Sequence, residues 1–545
     1  MKSLQSLIGA ALRRSALAGP PRSPWLAWFE PLPVLNEEGE TPMLGVMAAL
    51  WMLSPELQKE FALESRKERA RFIGWCCTLA GKEFQLMREA AVFGPARDLY
   101  FRPSRYSVEF SGGPVAVPYA VVAVFGLGVE QPSPDDPDTK KVARALLKWT
   151  FDKAGELFGG ADALPGWFIE AARKAGPDFV TEFGRPENVS QAPRLPAPRG
   201  GFDRGGVNAY GPVTGAWGDD DLRCGAAALA AVGIATASDL DAPVFGVNIF
   251  FMTPLETLRL FCTRGASLFL NRRSIGAWRW DLPEWPRELA FWAFLVDEIW
   301  APSAFVRRAF EMSSPVPVVE APPAVLAPPL AADRAKFGLP AKGFIFLVSA
   351  DEGDSFNRSN PLAAIRAFKA AFPAPEVGVG LVVRTPSETI GADDRDELVQ
   401  AASDDARIVL VDEALTQDER LALMASCDCL VSLHRATAFG RTIAEALILG
   451  LPVVATHWSG NVDYAEVGEQ YLVEAKKVAL GPDHEPFADG QLWAEPDIGA
   501  AAEALRAART DQSRGEPAIP ARFSAEAAGA RYARRLELYG VTGAR

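Results

Sequence analysis

Histidine and cysteine are scarce in this chain of 545 residues, which has three histidines and six cysteines. No histidine stands near a cysteine or an acidic residue at metal-ligand spacing, so the sequence argues against a catalytic metal or a zinc-binding fold. The cysteine spacing favours reduced thiols in a protein core over disulfides. P-loop, G-x-S-x-G and H-E-x-x-H patterns are also missing, which argues against a P-loop nucleotidase, an α/β-hydrolase and a zinc protease.

Long hydrophobic runs are missing too. The longest apolar stretch, residues 114–128, is too short for a membrane span and contains proline and glycine. The first 29 residues carry four basic residues and no acidic one, but an arginine pair interrupts their weakly apolar part, which is not typical of a signal peptide. This terminus is either a frayed basic segment or a membrane-surface helix attracted to anionic lipid. We therefore expect a cytoplasmic protein, with peripheral contact at the inner face of the membrane as the alternative.

The overall composition is that of a soluble globular protein, with 49% hydrophobic and 23% charged residues. A net charge of −13 argues against nucleic acid as a main partner. The length predicts about three domains.

The stretch from Val431 to Asp463, VSLHRATAFGRTIAEALILGLPVVATHWSGNVD, is the most informative part of the sequence. It predicts a strand, a small glycine-containing loop, a helix around Thr442 that stops at Gly450, a second strand and a polar loop. A loop that leads into a helix N-terminus is an anion site, because free N–H groups and the helix dipole face the ligand. Glu445 on this helix is suited to hold the hydroxyl pair of a ribose.

This segment resembles the donor-site signature of glycosyltransferase family 4, retaining nucleotide-sugar glycosyltransferases of the GT-B fold. The family pattern is roughly S-L-H-R-x-E-G-F-G-L-x-x-x-E-A, followed by G-x-P-V-I-A-T-x-x-S-G-N. The matching residues are Ser432, Leu433, His434, Arg435, Phe439, Gly440, Glu445, Ala446, Gly450, Pro452, Val453, Ala455, Thr456, Ser459, Gly460 and Asn461. The chain departs from the family at Thr437, where the first glutamate would stand, at Ala438 and at Arg441.

The resemblance implies which residues hold the donor. Arg358, Arg384, Glu445 and His434 are the expected catalytic set, with the arginines neutralising the donor diphosphate. The family's lysine after Arg358 is Ser359 here. The residues expected to bind the nucleotide sugar are Thr437, Phe439, Gly440, Arg441, Thr442, Glu445, Ser459, Gly460, Asn461, Gly215 and Gly218. We expect no metal and no cofactor, because the nucleotide diphosphate sugar is itself the donor substrate.

Several residues have two interpretations. The loop with Gly215 and Gly218 resembles the family's glycine-rich loop near the donor phosphates, or is a simple turn. Trp278 and Trp280 line an acceptor pocket or pack in a core. Arg441 faces a bound anion or is a solvated residue at a helix start. The acidic residues Asp351, Glu352 and Asp354 contact a metal or an acceptor, or belong to a solvated loop.

The pattern along the chain predicts an α/β protein with a GT-B fold: two Rossmann-like lobes with an interlobe cleft, plus an N-terminal mainly helical accessory domain. The expected divisions are a basic segment (1–29), the accessory domain (30–200), an N-terminal acceptor-side lobe (201–325), a C-terminal donor-side lobe (326–522) and a last helix returning to the N-terminal lobe (523–545).

Two functions follow from these expectations. The first is a retaining glycosyltransferase that moves a hexose from a nucleotide diphosphate sugar to a surface polysaccharide or its lipid-linked precursor. The second is a catalytically impaired GT-B-like protein that acts as a binding or scaffold subunit of an envelope assembly. The changes at Thr437 and Ser359 favour the second function, and retention of Glu445, Arg358 and His434 favours the first.

Overall fold

The structure is a computed structural model. It describes residues 28, 43–77, 80, 84, 86–87, 102–124, 137–157, 166–183, 202–212, 218–326, 332–350, 355–374, 376–385, 390–413, 415–466, 470–481, 490–511 and 521–542. Gly215, the acidic residues at 351–354 and the basic terminus (apart from Trp28) lie outside the described residues, and so do the expectations attached to them.

The N-terminal lobe is a six-stranded parallel sheet with strand order β4-β3-β5-β6-β7-β8. Its strands are β3 (Gly206–Tyr210), β4 (Ala235–Ala237), β5 (Val247–Phe251), β6 (Arg273–Ala277), β7 (Glu298–Ala301) and β8 (Val318–Glu320). The order reverses between β3 and β5. In sheets of this kind, ligands bind outside the carboxyl ends of the strands at such a reversal.

The C-terminal lobe repeats this plan with strand order β11-β10-β9-β12-β13-β14. Its strands are β9 (Phe344–Ser349), β10 (Val379–Arg384), β11 (Ile408–Val411), β12 (Cys429–Ser432), β13 (Val453–Thr456) and β14 (Gln470–Val473). The order reverses between β9 and β12, so the loop after β12 lies at the switch point. An antiparallel hairpin, β15 (Ala475–Ala479) and β16 (Leu492–Pro496), follows this sheet. The two lobes confirm the predicted fold class.

Helices connect the strands of both lobes and also make up much of the accessory region. In the accessory region they are α1 (Gly45–Leu53), α2 (Pro55–Glu60), α3 (Arg66–Cys77), α4 (Tyr119–Val124), α5 (Pro137–Leu157), α6 (Gly166–Lys174) and α7 (Pro177–Phe183). In the N-terminal lobe they are α8 (Gly218–Ala231), α9 (Pro254–Arg264) and α10 (Ala304–Glu311). In the C-terminal lobe they are α11 (Phe356–Ser359), α12 (Pro361–Ala371), α13 (Ala392–Ala402), α14 (Gln417–Ala425), α15 (Arg441–Ile448), α16 (Ile498–Asp511) and, at the end of the chain, α17 (Ala525–Leu536).

Short 3-10 helices complete the connections. They span Ala266–Leu268, Arg287–Leu295, Gly460–Tyr464, Ala521–Phe523 and Glu537–Tyr539. The segment Gly460–Tyr464 includes the last two residues of the Ser-Gly-Asn turn after β13 and lies beside the site described below.

The accessory region contains a β-hairpin as well as helices: β1 (Pro103–Phe110) pairs with β2 (Gly113–Pro118). The Val- and Ala-rich stretch at residues 115–127 predicts a strand or a buried helix. In its described part, residues 115–124, it contains one of each, because β2 runs directly into α4. The helices of this region share one hydrophobic cluster with the N-terminal lobe. For example, the Trp28 ring lies 4.7 Å from Phe291 in an edge-to-face contact.

The last helix, α17, packs on the N-terminal lobe although it follows the C-terminal lobe in the chain. Gly529 permits this close contact, because a Cβ there would lie 2.1 Å from the carbonyl oxygen of Ala228 in α8. Tyr532 stacks on Trp300 at 4.7 Å between ring centroids. Arg535 pairs with the buried Glu298. The chain therefore crosses between the lobes twice.

Short sequence patterns predict several helix ends. Thr416 with Glu419 predicts a capping box, and the two residues form one at the start of α14. Gly450, the predicted stop, follows α15 with φ of +71°, a conformation that glycine adopts readily. Asn360 before Pro361 predicts a helix capped by the Asn360 side chain. The helix α12 does begin at Pro361, but the predicted cap is wrong, because the Asn360 amide donates to the carbonyl oxygen of Leu433 at 3.1 Å. Within the described segments, every helix is too short or too polar to cross a membrane.

Candidate functional site

A cavity of about 310 Å³ lies between the two lobes, at the carboxyl ends of both sheets. The N-terminal lobe contributes residues from the start of α8, the loop after β6 and the loop after β7. The C-terminal lobe contributes the end of β10, the start of α14 and the loop before α15. The charged side chains that line the cavity come from both lobes; they are Arg223, Arg279, Arg384, Arg420, Arg441, Asp220, Asp221 and Asp281.

The loop from Thr437 to Gly440, which we call the donor loop, leads into α15 and lines the cavity. Gly440 has φ of +80°, a conformation that glycine adopts without steric cost. The hydroxyl of Tyr464 lies 2.7 Å from the carbonyl oxygen of Phe439 and 2.6 Å from that of Gly440. The donor loop is therefore held in place where it leads into the N-terminus of α15, the end of a helix at which free N–H groups can bind an anion.

The predicted Ser-Gly-Asn turn lies beneath the donor loop. The Thr437 N–H donates to Ser459 Oγ at 2.9 Å, and the Gly460 N–H donates to the Thr437 carbonyl oxygen at 2.9 Å. A Cβ on Gly460 would lie 2.0 Å from the Ala438 carbonyl oxygen, so only glycine allows this approach. Because Ser459 and Asn461 are almost fully buried, the turn shapes the donor loop from below.

His434 is buried at 4% exposure and does not line the cavity. Its Nδ1 lies 2.9 Å from Ser432 Oγ, and its Nε2 lies 3.1 Å from Asn461 Oδ1 and 3.2 Å from the Trp458 carbonyl oxygen. The Ser432 carbonyl oxygen also lies 3.0 Å from Nδ1, so each ring nitrogen has a carbonyl acceptor within hydrogen-bond distance. His434 joins β12 to the Ser-Gly-Asn turn, and its expected contact with the donor's phosphate or sugar stays a prediction.

Burial lowers the pKa of His434 below its ordinary value of about 6.5. The unfolded chain then binds this proton at a higher pH than the folded chain, so the stabilisation by neutral His434 is present above pH 6.5 and is lost as the pH falls below it. We expect wild type to lose more unfolding free energy between pH 7.5 and 5.5 than His434→Gln, measured by guanidinium denaturation. The matched control is His457→Gln, which removes a 41%-exposed histidine. Parallel pH dependence in wild type and His434→Gln would contradict the expectation.

Side chains of the N-terminal lobe hold the donor loop from the opposite side. Ser303 Oγ donates to the Ala438 carbonyl oxygen at 2.6 Å, and the Ala438 N–H donates to Asp281 Oδ1 at 2.8 Å. Nearby, the Ala304 N–H donates to Asp463 Oδ2 at 2.6 Å. Both polar groups of Ala438 are therefore bonded across the cleft, and the lobes are in a closed arrangement.

Arg420 lies at the centre of an ion cluster that spans the cleft. Its guanidinium bonds both oxygens of Glu445, at 2.5 and 3.0 Å, and lies 3.4 Å from Asp220 of the N-terminal lobe. Glu445 is 1% exposed, whereas Arg420 lines the cavity. In this closed arrangement Glu445 does not present its carboxylate to the cavity, so its expected ribose contact stays a prediction.

Arg441 pairs with Asp221, the neighbour of Asp220 at the start of α8. A cation at a helix N-terminus opposes the helix dipole, and a bound anion was one expected explanation. The structure places a carboxylate of the other lobe there instead. The interpretation of Arg441 as a solvated helix-start residue is wrong, because its side chain is only 17% exposed. Thr442 follows it in the first turn of α15.

The two arginines expected to bind the diphosphate differ in whether they line the cavity. Arg384 is 1% exposed, lines the cavity and donates to the Ala350 carbonyl oxygen at 2.9 Å. Arg358 lies 3.5 Å from Asp281 and is not part of the cavity lining among the described residues. Gly218 begins α8, close to the acidic pair at 220 and 221.

Arg223, Arg279, Arg420 and Asp281 were not among the predicted binding residues. The Nε and Nη2 atoms of Arg223 are buried and have no hydrogen-bond partner within the described part of the chain. Arg223 is the last residue of the glycine-rich segment 215–223. The glycine pattern of that segment is the sequence signal by which Arg223 could have been identified. Arg420 carries no such signal, because it stands inside an ordinary helix.

The tryptophan pair after β6 packs in or against the core. Trp278 is fully buried, and its indole N–H donates to Thr257 Oγ1 at 2.9 Å. Trp280 is half-buried, donates to the Glu284 carbonyl oxygen at 2.8 Å and packs edge-to-face on Trp285. Trp278 therefore combines core packing with a place in the cavity lining, whereas Trp280 is not part of that lining among the described residues. The described residues also contain no group of three or more His, Cys, Asp or Glu side chains placed to hold a metal ion.

The C-terminal lobe matches a known protein family. Residues 381–489 match the family model described as Glycosyl transferases group 1. The matched segment begins in β10 and contains the donor loop, α15 and the Ser-Gly-Asn turn. No functionally curated protein matches the chain. With its two Rossmann-like lobes and the matched donor-side segment, the protein is a glycosyltransferase of the GT-B fold.

Several solved structures are similar to this chain. Sucrose-phosphate synthase from Thermosynechococcus elongatus is 18% identical, with a TM-score of 0.45 over 62% of this chain and 100% of that chain. HepE from Anabaena, in complex with UDP and glucose, is 16% identical, with a TM-score of 0.39 over 61% and 99% of the two chains. A glycosyltransferase from Rickettsia africae is 13% identical, with a TM-score of 0.39 over 62% and 99%.

Proposed function

We propose that this protein is a retaining glycosyltransferase of the family 4 type, which moves a hexose from a nucleotide diphosphate sugar to a surface polysaccharide or its lipid-linked precursor. One observation carries the proposal: the cavity between the lobes is lined by five arginines next to the N-terminus of α15, inside the segment that matches the family model. This is a site for a strongly anionic ligand, and a nucleotide diphosphate is such a ligand.

In this mechanism the protein stabilises the leaving diphosphate by electrostatics. Negative charge builds up on the phosphate oxygens as the bond to the sugar breaks. Arg223 and Arg384 face this charge from opposite lobes, and the first N–H groups of α15 face it from the donor loop. The acceptor hydroxyl attacks from the same face of the sugar, which retains the configuration. Arginine and backbone charge replace a metal ion in this scheme, and no cofactor takes part.

The acidic residues of the cleft determine how the donor enters. Asp220 and Asp221 pair with Arg420 and Arg441, so the diphosphate competes with these carboxylates for the same cations. Leu415 and Gln417 also line the cavity and would supply apolar and hydrogen-bonding surface for the nucleoside. Release of Arg420 from Asp220 would let Arg420 and Glu445 rearrange toward the ribose.

The alternative function is a GT-B-like binding or scaffold protein without turnover. It is favoured by two observations: the cleft is closed by ion pairs between its own side chains, and the loop carries Thr437 in place of an acidic residue. Such a protein would bind a nucleotide diphosphate without releasing sugar. The acceptor and the contact of the basic N-terminus with a membrane remain proposals under either function.

A donor screen separates the two functions. Wild-type protein is expected to show an increase in Tm with UDP or GDP, and to release the nucleotide diphosphate from one of the corresponding nucleotide sugars. Nucleotide binding without release from any common nucleotide sugar, with oligosaccharide acceptors present, would favour the scaffold function. Absence of nucleotide binding would overturn both functions.

Arg223→Ala is expected to weaken binding of UDP or GDP by roughly 10- to 150-fold, because it removes a charge-assisted contact of roughly 1.5–3 kcal/mol. Isothermal titration calorimetry measures this change. Arg395→Ala is the matched control, since Arg395 pairs with Asp412 on the surface of the C-terminal lobe and is 45% exposed. Equal affinities in Arg223→Ala and Arg395→Ala would contradict a role for Arg223 at the diphosphate.

A further inference from the structure

We infer that Asp281 recognises the transferred sugar: its carboxylate accepts hydrogen bonds from sugar hydroxyls, and it selects neutral hexoses over hexuronic acids. The inference rests on the proposed donor site and concerns the part of that site that binds the sugar. Asp281 comes from the N-terminal lobe, four residues after β6, and lines the cavity beside Thr437 and Ala438.

The position of Asp281 follows from its two contacts. Oδ1 accepts the Ala438 N–H at 2.8 Å, and Oδ2 lies 3.5 Å from a guanidinium nitrogen of Arg358. A carboxylate has about four lone-pair sites. One backbone N–H and one long ionic contact leave acceptor capacity on both oxygens, and the side chain is 22% exposed. Asp281 is therefore both held in place and open to hydroxyl donors.

The other two carboxylates of the cavity are engaged differently. Asp220 lies 3.4 Å from Arg420 and 3.6 Å from Arg223, and Asp221 pairs with Arg441. Both balance arginines that a diphosphate would contact. Asp281 instead bonds the backbone of the donor loop at Ala438, three residues before α15 begins at Arg441. A sugar joined to a diphosphate bound at that N-terminus lies within reach of the donor loop, and hence of Asp281.

The charges beside the donor loop also favour one class of sugar. Thr437 is a neutral residue, so Asp281 is the charged acceptor next to the donor loop. Neutral hexose hydroxyls donate to a carboxylate, and such charge-assisted hydrogen bonds are roughly twice as strong as neutral ones. A hexuronic acid brings a second carboxylate against Asp281, and like charges at this distance repel each other. The site therefore favours neutral hexoses.

The test compares Asp281→Asn with wild type by calorimetric titration of UDP, GDP, UDP-glucose, GDP-mannose and UDP-glucuronate. Asparagine keeps a carbonyl oxygen for the Ala438 N–H, so the donor loop stays held while the charge is lost. We expect the affinity for the free nucleotide to stay within about twofold, and the affinity for the preferred neutral nucleotide hexose to fall about tenfold. The preference for the neutral hexose over the hexuronic acid should decrease by a similar factor.

Asp221→Asn is the matched control, because it removes a cavity carboxylate that faces an arginine rather than the donor loop. It should change the affinities for the nucleotide and for the nucleotide sugar in parallel. Equal losses of both ligands in Asp281→Asn would show that Asp281 only holds the loop, and unchanged affinities would show that it contacts nothing; either result overturns the inference alone. Wild type that binds no nucleotide overturns the proposed function as well.

Discussion

Replacement of Arg420 by alanine is expected to destabilise the protein by roughly 3–5 kcal/mol and to abolish measurable nucleotide binding. The substitution leaves the Glu445 carboxylate without its partner at 1% exposure, and removing one member of a buried ion pair is costly because the other charge stays desolvated. It also removes one of the five arginines of the cavity and the link to Asp220. Guanidinium unfolding and calorimetric titration measure the two effects.

Two variants calibrate this result. Arg395→Ala removes the exposed pair with Asp412 and should cost no more than about 1 kcal/mol, as surface ion pairs do. The double change Arg420→Leu with Glu445→Leu removes both buried charges and should recover much of the lost stability, but not the nucleotide binding. A loss in Arg420→Ala as small as that in Arg395→Ala would show that the buried pair contributes little.

Gly460→Ala is expected to reduce nucleotide affinity by at least about tenfold, in a protein destabilised by roughly 1–3 kcal/mol. The added methyl group would stand 2.0 Å from the carbonyl oxygen of Ala438 and 2.8 Å from the backbone nitrogen of Phe439. These atoms belong to rigid backbone, so the donor loop must move away from the Ser-Gly-Asn turn. The N–H groups of α15 then lose their alignment with the cavity. Titration with UDP and GDP measures the loss.

Gly166→Ala is the matched glycine substitution, because a Cβ at this position at the start of α6 has no neighbour within 4 Å in the described structure. It should leave both nucleotide affinity and stability close to wild type. If Gly460→Ala bound nucleotide as tightly as Gly166→Ala does, the donor loop would not be the anion site.

Some residues that match the family's donor-site pattern support the site without lining it. His434, Ser459 and Asn461 match that pattern, and the structure places all three under the donor loop rather than in the cavity. A pattern match cannot separate these two cases. Residues that shape a loop and residues that touch its ligand stand side by side in sequence, and their side chains differ only in direction.

The N-terminal lobe shows the same limit at longer range. Asp281 bonds Ala438 across 157 positions, and Asp220 meets Arg420 across 200. No periodicity, cap or short spacing connects residues so far apart. The acidic pair at 220 and 221 lies next to a weak glycine-rich pattern. That pattern indicates that this segment lines the cleft, but it does not indicate which residues of the other lobe pair with the two acids.

The sequence by itself determined the elements of this protein: two α/β series, the capping box at Thr416, the stop at Gly450 and the loop that leads into α15. These depend on hydrogen bonds and side-chain periodicity among near neighbours, which the order of residues specifies directly. Only the tertiary structure decided which charges meet. The enclosure of Glu445 by Arg420, the pairing of Arg441 with Asp221 and the placement of Asp281 beside the donor loop all depend on how the two lobes close. Charge pairing acts through space, and the distance between charges is set by the fold.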